Sequence, residues 1–242
     1  MSGHSKWHSI KHKKGAADAK RGQMFTKIIK EISVAAKMGG GDIEANARLR
    51  AAILKAKGAN MPKDNIDRAI KKGTGELEGV NYEELTYEAY APGGVALLID
   101  ILTDNKNRTA AEVRNILSKA GGSLGTAGSV ARLFKRKGMI GYDAAKYKED
   151  DIINVALEAG AQDVTTEEGT IEVECEPDQF EAVLDALTQA GFEHLAAEVN
   201  MVPEVEVKLD DDKAQKVMKL IETLEDSDDV QNVATNLEMP DE

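Results

Sequence analysis

The sequence predicts an α+β multidomain protein, with a helical domain at the N-terminus followed by two α+β domains. Three observations carry that expectation. Residues 1–72 hold 17 Lys and Arg against 6 Asp and Glu, a balance of +11, whereas the remainder holds 14 against 37, a balance of −23. The apolar periodicity changes near Tyr82, from the 3.6-residue repeat of amphipathic helices to short strand-like runs separated by single helices. A weak internal repeat links AVLDALTQAGFEHLAAEVNMVP to KVMKLIETLEDSDDVQNVATNLEMP: each reads as helix, connector and strand, with Met and Pro near its end.

The helical third is the most regular. After Gly15, AADAKRGQMFTKIIKEISVAAKM sets Phe25, Ile28, Ile29, Ile32 and Ala36 on one face and ends at Gly39, Gly40 and Gly41. A second helix in IEANARLRAAILKAKGAN buries Leu49, Ala52, Ile53 and Ala56. A third opens at Pro62, a residue suited to a first helical position, turns Ile66, Ala69 and Ile70 inward, and stops at Gly73.

Beyond Tyr82, LTYEAYAPGGVALLIDILTD reads as two strands around Pro92–Gly93–Gly94, and NKNRTAAEVRNILSKAGG as a helix. SVARLFKRKGMIGYD is strand, DDIINVALEAG helix, VTTEEGTIEVECEP a hairpin, DQFEAVLDALTQAG helix and HLAAEVNMVP strand. EVEVKL, DDDKAQKVMKLIETLED and DVQNVATNLEMP complete the chain as strand, helix and strand. These counts suit two ferredoxin-like sandwiches. The expected division is 1–79 for the basic tail and helices, 80–135 plus 205–242 for a discontinuous domain, and 136–204 for the domain inserted in it.

The opening MSGHSKWHSIKHKKG invites two readings. His4, His8 and His12 have the spacing of helical zinc ligands. At 1.5 Å per residue, however, His4 and His12 would stand about 12 Å apart on a helix. Asp18 is the first acidic residue, Cys175 the single cysteine, and Lys6, Lys11, Lys13 and Lys14 repel a cation. No metal is expected. The single tryptophan, Trp7, lies in this basic tail, where it can stack on an unpaired base. The tail, with Lys20, Arg21, Lys27, Arg48, Arg50, Lys55, Lys57 and Lys63 on the following helices, therefore reads as a nucleic-acid-binding surface on an acidic carrier.

Catalytic constellations do not emerge. GGSLGTAGS lacks the Gly-Lys-Ser/Thr of a phosphate loop and reads as a tight turn. Cys175 has no histidine nearby in sequence, and His194 is the single histidine outside the tail. Asp210, Asp211 and Asp212 sit where a helix begins and suit its positive end. The loop Thr103–Thr109, with Asn105, Asn107 and Arg108, joins a strand to a helix N-terminus, where it can cap the helix or meet a phosphate. One cysteine, no apolar run near ~20 residues and a basic polar start give the expectation of a cytoplasmic protein without a membrane span or secretory signal.

Four stretches, GHSKWHSIKHKKGAADAKRGQMFTKIIKEI, RLRAAILKAKGANMPKDNIDRAIKKG, YEAYAPGGVALLIDILTDNKNRT and GGSLGTAGSVARLFKRKG, closely resemble the YebC/PmpR family. Its mitochondrial relatives are known as translational activators of cytochrome c oxidase subunit I. The resemblance spans nearly the whole chain and implies three domains, one interrupting another, with no enzymatic activity and no cofactor. It implies a regulator of gene expression that binds nucleic acid. The partner would be promoter DNA, by the usual family label, or ribosomal RNA, in a ribosome-associated factor that relieves stalls at proline-rich stretches. His4, Ser5, Lys6, Trp7, Ile10 and Lys11 match the family's opening motif; Phe25, Thr26 and Lys27 match its first helix. Asn60–Asn65 match the entry to the third helix, and Thr103, Asp104, Asn105, Asn107, Arg108 and Thr109 match the body loop. Ala47 departs from a frequent proline, and Arg132 from a frequent aromatic. A monomer is expected. The competing reading is a scaffold whose acidic body binds a protein partner.

Overall fold

The computed structural model describes residues 17–167 and 169–238, with side chains from residue 22 onward. Among these residues there are seven α-helices and two four-stranded sheets. They divide into two compact units: residues up to Val130 with Leu209–Val233, and Ala131–Lys208 with residues from Ala234.

The first unit begins with α1 (Ala17–Gly39), α2 (Ala47–Gly58) and α3 (Lys63–Thr74). Their apolar faces meet around Ile28, Ile32, Leu49, Ile53, Ala56 and Ile66. Asn46 fixes the corner between α1 and α2. Its Oδ1 accepts from Leu49 N at 3.0 Å, capping α2, while its Nδ2 donates to Ala35 O at 2.9 Å and Gly40 O at 2.8 Å. Gly73 does not end α3, which continues to Thr74 and closes at Gly75 with φ +85°. The reason for a glycine at 73 is close approach, because a Cβ there would lie 2.3 Å from Ser33 O on α1.

The same unit continues with β1 (Glu83–Ala91) and β2 (Val95–Thr103), paired antiparallel from Glu83↔Thr103 to Ala91↔Val95. Gly93 and Gly94 carry positive φ in the intervening turn, which favours glycine at both. α4 (Lys106–Lys119) and β3 (Ser123–Leu124) follow, and α7 (Asp211–Glu225) and β8 (Val230–Thr235) return from the end of the chain. The sheet order is β3-β1-β2-β8. All but Asp100 of β2 is buried, as its continuous apolar run requires.

The second unit contains β4 (Phe134–Asp143), α5 (Glu149–Glu158), β5 (Asp163–Glu167), β6 (Thr170–Cys175), α6 (Phe180–Gln189) and β7 (Ala196–Pro203). Its sheet order, β5-β6-β4-β7, is the ferredoxin-like order for a βαββαβ chain, with antiparallel neighbours throughout. Both helices cover one face, where Ile140, Tyr142, Ile152, Ile171, Val183 and Leu187 form the core. Residues 204–209 depart from the strand expected of EVEVKL. They contribute a single parallel bridge, Val207↔Leu237, and Asp210 is taken by the start of α7, capping Lys213 N at 3.0 Å.

Gly73→Ala should lower unfolding free energy by ~1–3 kcal/mol, the usual cost of forcing atoms into a packed contact. Urea denaturation read by circular dichroism would show a lower midpoint with an unchanged slope.

Candidate nucleic-acid interface

His4, Ser5, Lys6, Trp7, Lys11, His12, Lys13 and Lys14 lie outside the described residues, as do the side chains of Lys20 and Arg21. The remaining cations sort by what they touch.

One group is engaged within the fold. On α1, Gln23, Lys27 and Lys30 present one face to the C-terminal end of α7. Gln23 Nε2 donates to Asp226 O and Lys27 Nζ to Glu225 O, answering carbonyls that a helix leaves without partners. Lys30, 7% exposed, donates to Asp229 Oδ1 and Asp228 O at 2.8 Å each and to Leu102 O at 3.4 Å. Those three acceptors match the three protons of its ammonium. The other oxygen of Asp229 accepts from Arg108 Nη2 at 2.7 Å, Thr109 Oγ1 at 2.8 Å and Thr103 Oγ1 at 3.2 Å. Burial alone would push this carboxyl up, but the hydrogen bonds from Lys30, Arg108 and Thr109 outweigh it and hold the group down at about 2.

Arg108 also meets Asp104 at 2.8 Å, and Asn105 caps α4 by accepting from Arg108 N at 3.1 Å. The body loop thus turns most of its polar groups on itself and on Asp229, although Asp104, Asn105, Lys106, Asn107 and Arg108 are all exposed. Arg48 lies between two carboxylates, bonding Glu31 at 2.7 and 3.2 Å and Glu84 at 2.8 and 3.1 Å. Burial works against its charge, yet the bonds to Glu31 and Glu84 raise the guanidinium above its ordinary value. Arg50 donates to Ile43 O at 2.8 Å and Glu44 O at 2.6 Å.

The other group faces water. Lys55 and Lys57 on α2, and Lys63, Arg68, Lys71 and Lys72 on α3, are exposed. Among the described residues none of these six has an acidic side chain at ion-pair distance. Asp64 and Asp67 share the outer face of α3 and leave the surface net positive. Lys71 and Lys72 occupy the last turn of α3, where they also suit the helix dipole. Arg68, Lys71 and Lys72 were not among the residues singled out from sequence. Their outward spacing on an otherwise inward-patterned helix was the available signal. Asp229 had none, since its partners lie far along the chain.

The glycine-rich stretch 121–129 also has an internal answer. Glu88 accepts from Gly128 N at 2.5 Å and from Val130 N, so a carboxylate of the same unit meets the amides of that turn. Cys175 is buried in β6, and burial pushes its thiol up to about 11, away from nucleophilic use. No group of His, Cys, Asp and Glu with metal-binding geometry occurs among the described residues.

Residues 5–76 match the TACO1/YebC protein N-terminal domain, and residues 82–237 match the TACO1/YebC second and third domain. The chain belongs to the TACO1/YebC family. A family member from Treponema denticola, named a probable transcriptional regulatory protein, is 64% identical over 241 residues, covering 100% of this chain and 98% of that one. A Borreliella burgdorferi relative with the same description is 58% identical, covering 100% and 99%. A conserved hypothetical protein from Aquifex aeolicus, solved by crystallography, superposes with a TM-score of 0.84 at 47% identity over 93% of each chain.

Asp229→Ala should cost ~3–5 kcal/mol, because it leaves the Lys30 ammonium buried without its counter-charge. Asp229→Asn should cost less, keeping an acceptor. The folded pKa of Asp229 lies below its ordinary 3.8, so its contribution is present above pH ~4 and is lost as pH falls toward about 2. Acid denaturation monitored by tryptophan-independent circular dichroism should therefore be steeper in that window for the unsubstituted chain than for Asp229→Asn.

Proposed function

We propose that this chain is a nucleic-acid-binding regulator of gene expression, acting without catalysis through its N-terminal third. The observation that carries the reading is the set of solvent-facing cations on α2 and α3, Lys55, Lys57, Lys63, Arg68, Lys71 and Lys72, which lack acidic partners among the described residues. A protein that needed charge only for solubility would intersperse both signs. Here the acidic residues are concentrated in the rest of the chain. The printed names of the relatives, probable transcriptional regulatory proteins, support a regulatory role.

The target we favour is RNA with unpaired bases, at the ribosome, in the cytoplasm. Trp7 lies among Lys6 and Lys11 with His8 and His12 close in sequence. Aromatic stacking on a base contributes ~1–3 kcal/mol and requires that the base be out of a duplex. Lysine and arginine contacts to phosphate then supply most of the affinity and none of the sequence reading. Arg48, Lys27 and Arg108 serve chiefly to hold the fold in this scheme, and the tail with the α2–α3 surface makes the phosphate contacts.

Salt titration of binding tests the surface directly. Each contact removed from a single strand should lower the slope of log affinity against log salt by about 0.7. Lys55→Gln, Arg68→Gln and Lys71→Gln combined should flatten the slope by about 2 on that scale, with the urea midpoint unchanged. An unchanged slope would remove the α2–α3 surface from the interface. Ultraviolet crosslinking in cells, followed by sequencing, identifies the target. Crosslinks at a few ribosomal RNA positions, lost on Trp7→Ala, are the expected result; crosslinks confined to promoter DNA would establish a transcription factor instead.

A further inference from the structure

The turn between α2 and α3 lies within the exposed basic surface, with Lys57 before it and Lys63 after it. Among the described residues nine glycines have a positive φ, and one other residue does: Asn60, at +56°. Here the chain closes α2, with Asn60 N donating to Lys57 O and Met61 N to Ala56 O, each at 2.9 Å. Those bonds require the left-handed backbone and use no side chain, so glycine would form them with less strain. Asparagine tolerates the conformation better than most residues, because its side chain is short and polar. Yet its carboxamide does nothing for the cap. It is exposed and, among the described residues, makes no hydrogen bond. A side chain kept where glycine fits better, and left unengaged by the fold, is placed for a partner outside it.

The turn also holds that side chain in a fixed position. Met61 is 6% exposed and packs in the core of the bundle, and Pro62 locks the backbone beyond it at φ −57°. Asn60 therefore stands between the last turn of α2 and a buried anchor, so its carboxamide loses little freedom on binding.

We infer that Asn60 is the base-reading residue of this surface, pairing with the edge of an unpaired adenine while Lys57 and Lys63 meet phosphates on either side. On the nucleic-acid reading above, on which this inference rests, the lysine contacts position a strand and carry no base information. A carboxamide sets an acceptor beside a donor and needs the reverse pair opposite it. Adenine offers that pair on two edges, N6 with N7 and N6 with N1, whereas uracil offers it on one. An unpaired strand leaves those edges open to a side chain.

Fluorescence anisotropy of the full chain tests the assignment, with a polyuridine RNA oligonucleotide and one of equal length carrying adenines at its centre. The adenine-bearing strand should bind several-fold more tightly. Asn60→Gly keeps the left-handed turn, so its urea midpoint should be unchanged or raised. The same variant should bind both strands with the affinity that the unsubstituted chain has for polyuridine, and with the same salt slope. An adenine preference that survives Asn60→Gly, an equal loss on both strands, or salt-dependent binding without any base preference would each overturn the inference and leave the phosphate-binding surface standing. Absence of salt-dependent binding to either strand would defeat the nucleic-acid reading and this inference together.

Discussion

A carboxylate withdrawn from water must be met by charge, by hydrogen bonds or by a proton. Asp229 is met by the first two at once. Lys30 reaches it from α1, Arg108 and Thr109 from α4, and Thr103 from the end of β2. Three segments of the first unit thus converge on one side chain, and the backbone of Asp229 accepts from Leu102 N at 2.9 Å as well. Each partner is only as well placed as the others, because Lys30 and Asp229 are both nearly excluded from solvent. Such a pair contributes specificity of arrangement more than net stability. It fixes how the helical bundle joins the sheet, and through Lys27 and Gln23 the same helix face continues onto the end of α7.

That constraint explains why the basic N-terminal third is less uniform than its charge suggests. Cations on the inward-facing side of the bundle are committed to carbonyls and carboxylates of the body, and Arg48 is held by two glutamates. Those on the outer faces of α2 and α3 keep their charge in water. Removing a cation of the first kind leaves an acceptor of the fold without its partner; removing one of the second kind does not. The structure therefore separates residues that look alike in composition into those bonded within the fold and those that face water.

The acidic body is divided in a comparable way. Some carboxylates cap helix N-termini, as Asp210 does for α7, or meet turn amides, as Glu88 does for Gly128 and Val130. Others lie on the helix-free face of the second sheet, Glu174 among them meeting Lys137 at 3.3 Å.

The sequence by itself determined the local elements. Apolar residues at helical spacing identified the three N-terminal helices, and Pro92–Gly93–Gly94 marked the β1–β2 turn. The helix and strand counts beyond residue 136 gave the βαββαβ layer. It also determined the polarity of charge along the chain and the composition of the tail. Tertiary structure decided the rest, because the deciding partners are remote. Lys30 and Asp229 are 199 residues apart in the chain, and no local pattern joins them. Gly73 looked like a helix stop because glycine commonly is one; it proved to be a contact with Ser33, visible only once α1 and α3 are packed. EVEVKL alternates like a strand yet forms one bridge, since alternation specifies a face and not the presence of a neighbour to pair with. Which cations remain available to a ligand is likewise a property of distances in the folded chain, and composition carries no distances.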